Sequence, residues 1–182
     1  MNIYLYDINL KRFNYMQIRL IHSKNFSARG IQIFMKLFCI LRGIKPPKII
    51  YNHALIYDEK TDELYEADFP HVVKMSFSKW KEKKKNKTAL IEMVNIEFTQ
   101  DEEIEIKKYL EAQVGKHYEI SNFWWHIAKV FTGKWYGRKD DKRHYCYELV
   151  LYALNTLKKN NFDAYLNPYE FSKNFKVYDT HQ

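Results

Sequence analysis

Glycine and proline are scarce in this chain, with five Gly and four Pro in 182 residues. That leaves little material for linkers or low-complexity segments, so residues 1–182 read as a single domain, long enough to bury a sizeable core. Cysteine is scarcer still. Cys39 and Cys146 are the only two, they sit in dissimilar contexts, and they form no metal-ligand spacing. No metal or cofactor motif is recognisable, and a reducing compartment is expected. No secretory leader is expected, because Asp7, Lys11, Arg12, Arg19 and His22 interrupt the first 24 residues and leave no clean apolar run. The longest apolar stretch, residues 31–41, is broken by Gln32 and Lys36 and is too short to span a bilayer. The expectation is a cytoplasmic protein with no transmembrane segment.

Aromatic residues are abundant, at 17% with 15 Tyr and 12 Phe, which excludes a disordered chain. The net charge is +8. Much of it lies in Lys79–Lys87, where six lysines surround Trp80, Glu82 and Asn86. A run of this kind ordinarily forms a solvated face. The other reading is weak polyanion binding, but none of the signatures of base-reading modules is present.

Periodicity orders the elements. Residues 2–8 and 15–22 alternate as strands. Ser27 is the expected N-cap of a helix over about 28–42, ended by Gly43 and Pro46-Pro47. That helix is apolar on most sides, so it is either buried or one wall of an apolar groove. Residues 88–98 supply a further strand or two. Thr99, with Glu102 three residues on, forms a capping box for a helix running to about Val114 and stopping at Gly115. An aromatic-rich segment from His117 to His126 leads into a short helix near Phe131, and Asn167-Pro168 starts another.

Two stretches carry chemistry. From Cys146, apolar residues fall at Leu149, Val150, Ala153 and Leu157, the spacing of a core-facing helix that begins near His144. A thiol in the first turn lies among unsatisfied backbone N–H groups at the positive end of the helix dipole, which favours thiolate. A buried structural cysteine is the competing reading. Upstream, residues 49–57 and 62–67 flank the polar loop Asp58-Glu59-Lys60-Thr61 and read as a hairpin. If Tyr57 opposes Asp62, then Leu55 faces Leu64 and His53 faces Glu66, with Cβ atoms about 4.5–5.5 Å apart. A carboxylate there would orient the imidazole and raise its basicity.

His53, Glu66 and Cys146, in that order, give the chain a pattern that resembles the circularly permuted branch of the NlpC papain-like superfamily, including the YiiX/YebB-like and lecithin retinol acyltransferase-like proteins. The matching pieces are Asn52-His53-Ala54-Leu55-Ile56-Tyr57, the pair Glu66-Ala67, and the helix start Cys146-Tyr147-Glu148-Leu149-Val150. Gly115-Lys116-His117-Tyr118-Glu119 and Ser27-Ala28-Arg29-Gly30-Ile31-Gln32 also fit. Two positions depart from the pattern: Tyr147 stands where a small residue usually follows the nucleophile, and Leu55 stands where Gly is usual.

The resemblance implies an α+β, circularly permuted papain-like (NlpC-like) fold, an antiparallel sheet packed against helices with the nucleophile at a helix N-terminus. It implies a cysteine peptidase or amidase, a thiol hydrolase or acyltransferase, with Cys146 as nucleophile, His53 as base and Glu66 as its orienter. Tyr118 and His144 are candidates for the second oxyanion donor, and Tyr145 and Tyr147 for substrate contact. The substrate would be an amide, ester or thioester, in a peptide, a cell-wall peptide or a lipid acyl group, with no cofactor. The alternatives are a catalytically silent relative with a structural or binding role, for example in a phage particle, and a basic nucleic-acid-associated protein.

Overall fold

The computed structural model describes residues 15–24, 26–83, 86, 89–94, 96–132, 134, 142–157 and 166–174. The strand expected over 2–8 lies outside them. Strands β1 (Met16–His22), β2 (His53–Asp58), β3 (Glu63–Asp68), β4 (His71–Ser76), β5 (Leu90–Val94), β6 (His117–Tyr118) and β7 (Arg143–His144) form one sheet in the order β5-β1-β2-β3-β4-β6-β7. Every pairing is antiparallel except β6–β7, which is parallel. The helices are α1 (Phe26–Leu41), α2 (Phe77–Glu82), α3 (Gln100–Gln113), α4 (Ser121–Thr132), α5 (Cys146–Asn155) and α6 (Pro168–Asn174). The class is α+β, with a mostly antiparallel seven-stranded sheet.

β2 is apolar from Ala54 to Tyr57 because both of its faces are covered. Ala54 and Ile56 join Tyr65, Ala67 and the α5 residues Leu149, Val150 and Ala153 in the main core. Leu55 and Tyr57 pack with Ile21, Leu64 and Trp80 in a second cluster. A glycine at 55 would leave that second cluster underfilled, which accounts for the leucine. Helix α3 has the expected capping box, with Thr99 and Glu102 exchanging side-chain and backbone bonds at 3.4 and 2.8 Å. It ends where Gly115 takes φ 87° and donates its N–H to the Val72 carbonyl at 2.9 Å.

Two local expectations are corrected. Helix α1 begins at Phe26, so Ser27 lies inside its first turn and does not cap it from outside. The same helix is buried on one side only, through Ala28, Met35, Phe38 and Cys39. The hairpin pairs Tyr57 with Leu64 and Asp58 with Glu63, a register two residues from the expected one. Asp58 stays in the strand because its carboxylate accepts from the Lys60 N–H and the Thr61 hydroxyl, at 3.0 and 2.7 Å. The four-residue turn is therefore Glu59–Asp62, closed by Asp62 at φ 53°. Because side chains alternate with period two, a shift of two leaves His53 and Glu66 on the same sheet face.

Tyr147, in the first turn of α5, donates its hydroxyl to the Tyr51 carbonyl at 2.7 Å and packs edge-on against Phe171. This bond ties α5 to the segment that leads into His53. Tyr147→Phe is expected to lower stability by about 1 kcal/mol in urea denaturation, the usual contribution of a buried hydrogen bond.

Candidate active site

His53 opens β2, and the chain just before it is pinned from three directions. The Asn52 backbone N–H donates to the Ile21 carbonyl at 2.9 Å. Its side-chain oxygen accepts from the Ser23 N–H at 2.8 Å and from Gln32 of α1 at 3.3 Å. Gln32 also donates to the Ser23 carbonyl at 2.8 Å, so one amide locks α1, the end of β1 and the start of β2 together.

His53 Nε2 lies 2.8 Å from Glu66 Oε2. The two residues are diagonal neighbours on the shifted hairpin and are close enough for long side chains to meet. Cys146 lines the same cavity as this imidazole and acts on it electrostatically, raising it. With Nε2 committed to Glu66, Nδ1 is the nitrogen left for sulfur. Burial disfavours charge on His53, but the Cys146 sulfur and the Glu66 carboxylate outweigh it and push the imidazole up to about 10.

Glu66 is 1% exposed and accepts from three residues. Besides His53, Trp80 Nε1 donates to Oε2 at 2.9 Å, and Lys83 Nζ reaches Oε1 at 3.4 Å. Burial raises this carboxyl, yet the His53 bond and charge, with the Trp80 and Lys83 contributions behind them, hold it down at about 2. Trp80 and Lys83 correct the reading of Lys79–Lys87 as a wholly solvated face. Ser76 caps α2, which turns Trp80 into the second cluster at 0% exposure, stacked on Phe77. Lys83 follows by three residues and pairs with both Glu66 and Asp68. Asn86 is also buried, donating to the Trp80 carbonyl at 2.9 Å. The apolar residue at i and the cation at i+3 were the available signal, hidden by the surrounding lysines.

Cys146 is the first residue of α5. Tyr145 precedes it as N-cap, and its N–H donates to the Glu148 carboxylate at 3.3 Å. The thiol lines a cavity of about 250 Å³ together with His53, Glu66 and Tyr118. Its lining mixes apolar Ile21, Ala28, Ile31, Ala67 and Phe69 with polar Ser23, Asn52, Asp68 and Asn86.

Of the four residues expected around the thiol, Tyr118 lines this cavity. Parallel pairing of β6 with β7 sets Tyr118 opposite His144, two residues before Cys146. Burial, then the negative charges of Cys146, Asp68 and Glu148, push the Tyr118 phenol well up, so it remains an O–H donor. The other three do not line the cavity. His144 turns into the core, where Nε2 lies 2.9 Å from Gln113 Oε1 and the ring sits edge-on to Tyr109 and Tyr152. Tyr145 donates to the Leu166 carbonyl at 3.1 Å, and Tyr147 bonds to Tyr51 as described. Strand and helix alternation around Cys146 sends these side chains to the core side, so Tyr147 does not narrow the cavity.

Cys39 is a free thiol at 0% exposure, packed with Met35, Phe38 and Ile50 and pushed up by burial. Among the described residues no cluster of three or more His, Cys, Asp or Glu is arranged to hold a metal ion, and no helix is long and apolar enough to cross a membrane. No protein-family model matches the chain, and no curated protein is significantly similar to it.

Proposed function

We propose that the protein is a cysteine-dependent acyl hydrolase or acyltransferase with a circularly permuted papain-like fold, acting through Cys146, His53 and Glu66. The observation that carries this reading is the bridging position of His53, bonded to Glu66 through Nε2 and partnered by the Cys146 thiol, inside one cavity at the N-terminus of α5. A surface His–Glu pair of no consequence would lack the sulfur. A purely structural cysteine would lack the imidazole.

In this reading His53 takes the Cys146 thiol proton as the sulfur attacks the carbonyl carbon of an amide, ester or thioester and forms a C–S bond. The carbonyl oxygen becomes an oxyanion facing the Cys146 backbone N–H at the positive end of α5, with the Tyr118 hydroxyl as the second donor. Imidazolium His53 gives its proton to the leaving amine, alkoxide or thiolate as that bond breaks, leaving a thioester on Cys146. A water deprotonated by His53 then attacks the thioester, releases the acid and returns the sulfur to its starting state. An alcohol or amine in place of water makes the same step a transfer. Glu66 keeps the ring in register and stabilises its positive form.

Incubation with p-nitrophenyl acetate tests the reading. The expected result is a burst of nitrophenolate with an acetyl adduct on Cys146 by peptide mass spectrometry, absent in Cys146→Ser and strongly reduced in His53→Ala. A folded wild-type protein that gives neither burst nor adduct sinks it and leaves the silent binding role.

A further inference from the structure

Helix α1 carries two apolar faces, and only one of them is buried. Ala28, Ile31, Met35, Phe38 and Cys39 form the inner face against Ile50 and Tyr169. On the opposite side Ile33, Leu37, Ile40 and Leu41 are 68, 47, 62 and 52% exposed. Their spacing of i, i+4, i+7 and i+8 lines them into one ridge. A continuous exposed ridge of large aliphatic side chains is unusual on a monomer and marks a surface that something covers.

The surrounding charge says what kind of surface covers it. Between Phe26 and Lys48 the chain has Arg29, Lys36, Arg42, Lys45 and Lys48 and no acidic residue. All five are exposed, and none forms an ion pair with a described residue. Two copies meeting through this ridge would bring both cationic sets together, which disfavours self-association. A 16-residue helix rises about 24 Å and carries Arg29 and Lys36, so it is suited to lying along a bilayer rather than crossing it. Aliphatic side chains flanked by cations match an acyl boundary under anionic headgroups.

We propose that α1 docks the protein on an anionic lipid bilayer, with Ile33, Leu37, Ile40 and Leu41 inserted at the headgroup–acyl boundary and the five basic residues against the headgroups. Ala28 and Ile31 of the same helix line the Cys146 cavity, as does Phe69, which is 67% exposed. The docking itself does not depend on the chemistry at Cys146.

Vesicle cosedimentation of the full chain provides the test. Wild type is expected to bind vesicles of phosphatidylcholine mixed with phosphatidylglycerol, to bind phosphatidylcholine alone far less, and to release as salt rises. Ile33→Asp combined with Ile40→Asp should weaken binding by about ten-fold or more, since each removes a buried aliphatic side chain. Lys36→Glu combined with Arg42→Glu should abolish the preference for phosphatidylglycerol. Circular dichroism should match wild type in both, because the altered side chains are exposed. Cys146→Ser should bind as wild type does, which separates this proposal from the catalytic one. No binding to either vesicle, undiminished binding by the Ile33→Asp/Ile40→Asp protein, or a stable dimer that occludes α1 would each overturn it.

Discussion

Replacing His53 with Ala is expected to slow alkylation of Cys146 by iodoacetamide at pH 7 by roughly a hundred-fold, the scale of a lost base or counter-charge. His53 and Cys146 line one cavity, so removing the imidazole takes away the basic group beside the thiol. Cys39 should stay unlabelled in the folded protein, because it is buried among Met35, Phe38 and Ile50. The same coupling is readable from the other side by NMR titration of the ring. His53 should remain protonated well above the ordinary imidazole range in wild type, and Cys146→Ser should bring its titration down. Because the folded pKa is raised, its stabilising contribution is complete below the unfolded value of about 6.5 and is lost as pH rises through about 10. Equal slow labelling of both cysteines, with no change on His53→Ala, would remove the thiol from the proposed chemistry.

Glu66→Ala should cost about 2–4 kcal/mol in urea denaturation, the largest loss expected from any single substitution at the site. It removes the acceptor for three residues at once. The Trp80 indole N–H, at 0% exposure, has no water to turn to, and the positive form of His53 loses its carboxylate. Glu66→Gln should recover only part of the loss, because an amide presents one oxygen where the carboxylate presents two. The pH dependence has the opposite sense to that of His53. The folded pKa of Glu66 lies below the unfolded value of about 4.3, so its contribution is full above that value and fades as pH falls through about 2. Acid unfolding of wild type should therefore be steeper between those limits than that of Glu66→Ala. A change below about 1 kcal/mol would mean that the three bonds to Glu66 contribute little net stability.

The sequence disclosed the parts of this arrangement that depend on local periodicity or capping chemistry. Thr99 and Glu102 announced the start of α3, Gly115 its end, and the spacing from Cys146 to Leu157 placed the thiol in a first turn. The His53–Glu66 pair was legible for a subtler reason. The loop chemistry of Asp58 and Asp62 moved the register by two, and parity carried the inference through where a shift of one would have broken it. Trp80 and Lys83 stayed hidden because a lysine-rich composition describes average solvation and not the one apolar position that a short capped helix turns inward. Tyr118 was nameable but not placeable. Its position comes from a two-residue parallel pairing between β6 and β7, too short to leave any pattern. β4 went unread because Val72 is its one fully buried side chain, so its alternation is faint.

The hydrogen bond from Tyr147 to Tyr51 joins residues 96 positions apart in the chain. His53 and Glu66 are synthesised long before Cys146, and their hairpin needs only local turn chemistry to form. The sulfur cannot meet the imidazole until α5 has been made and has closed across the sheet. A nascent chain therefore carries the imidazole of His53 before the thiol of Cys146 can lie beside it. The meeting of Cys146 with His53 is in this sense a readout of completed folding.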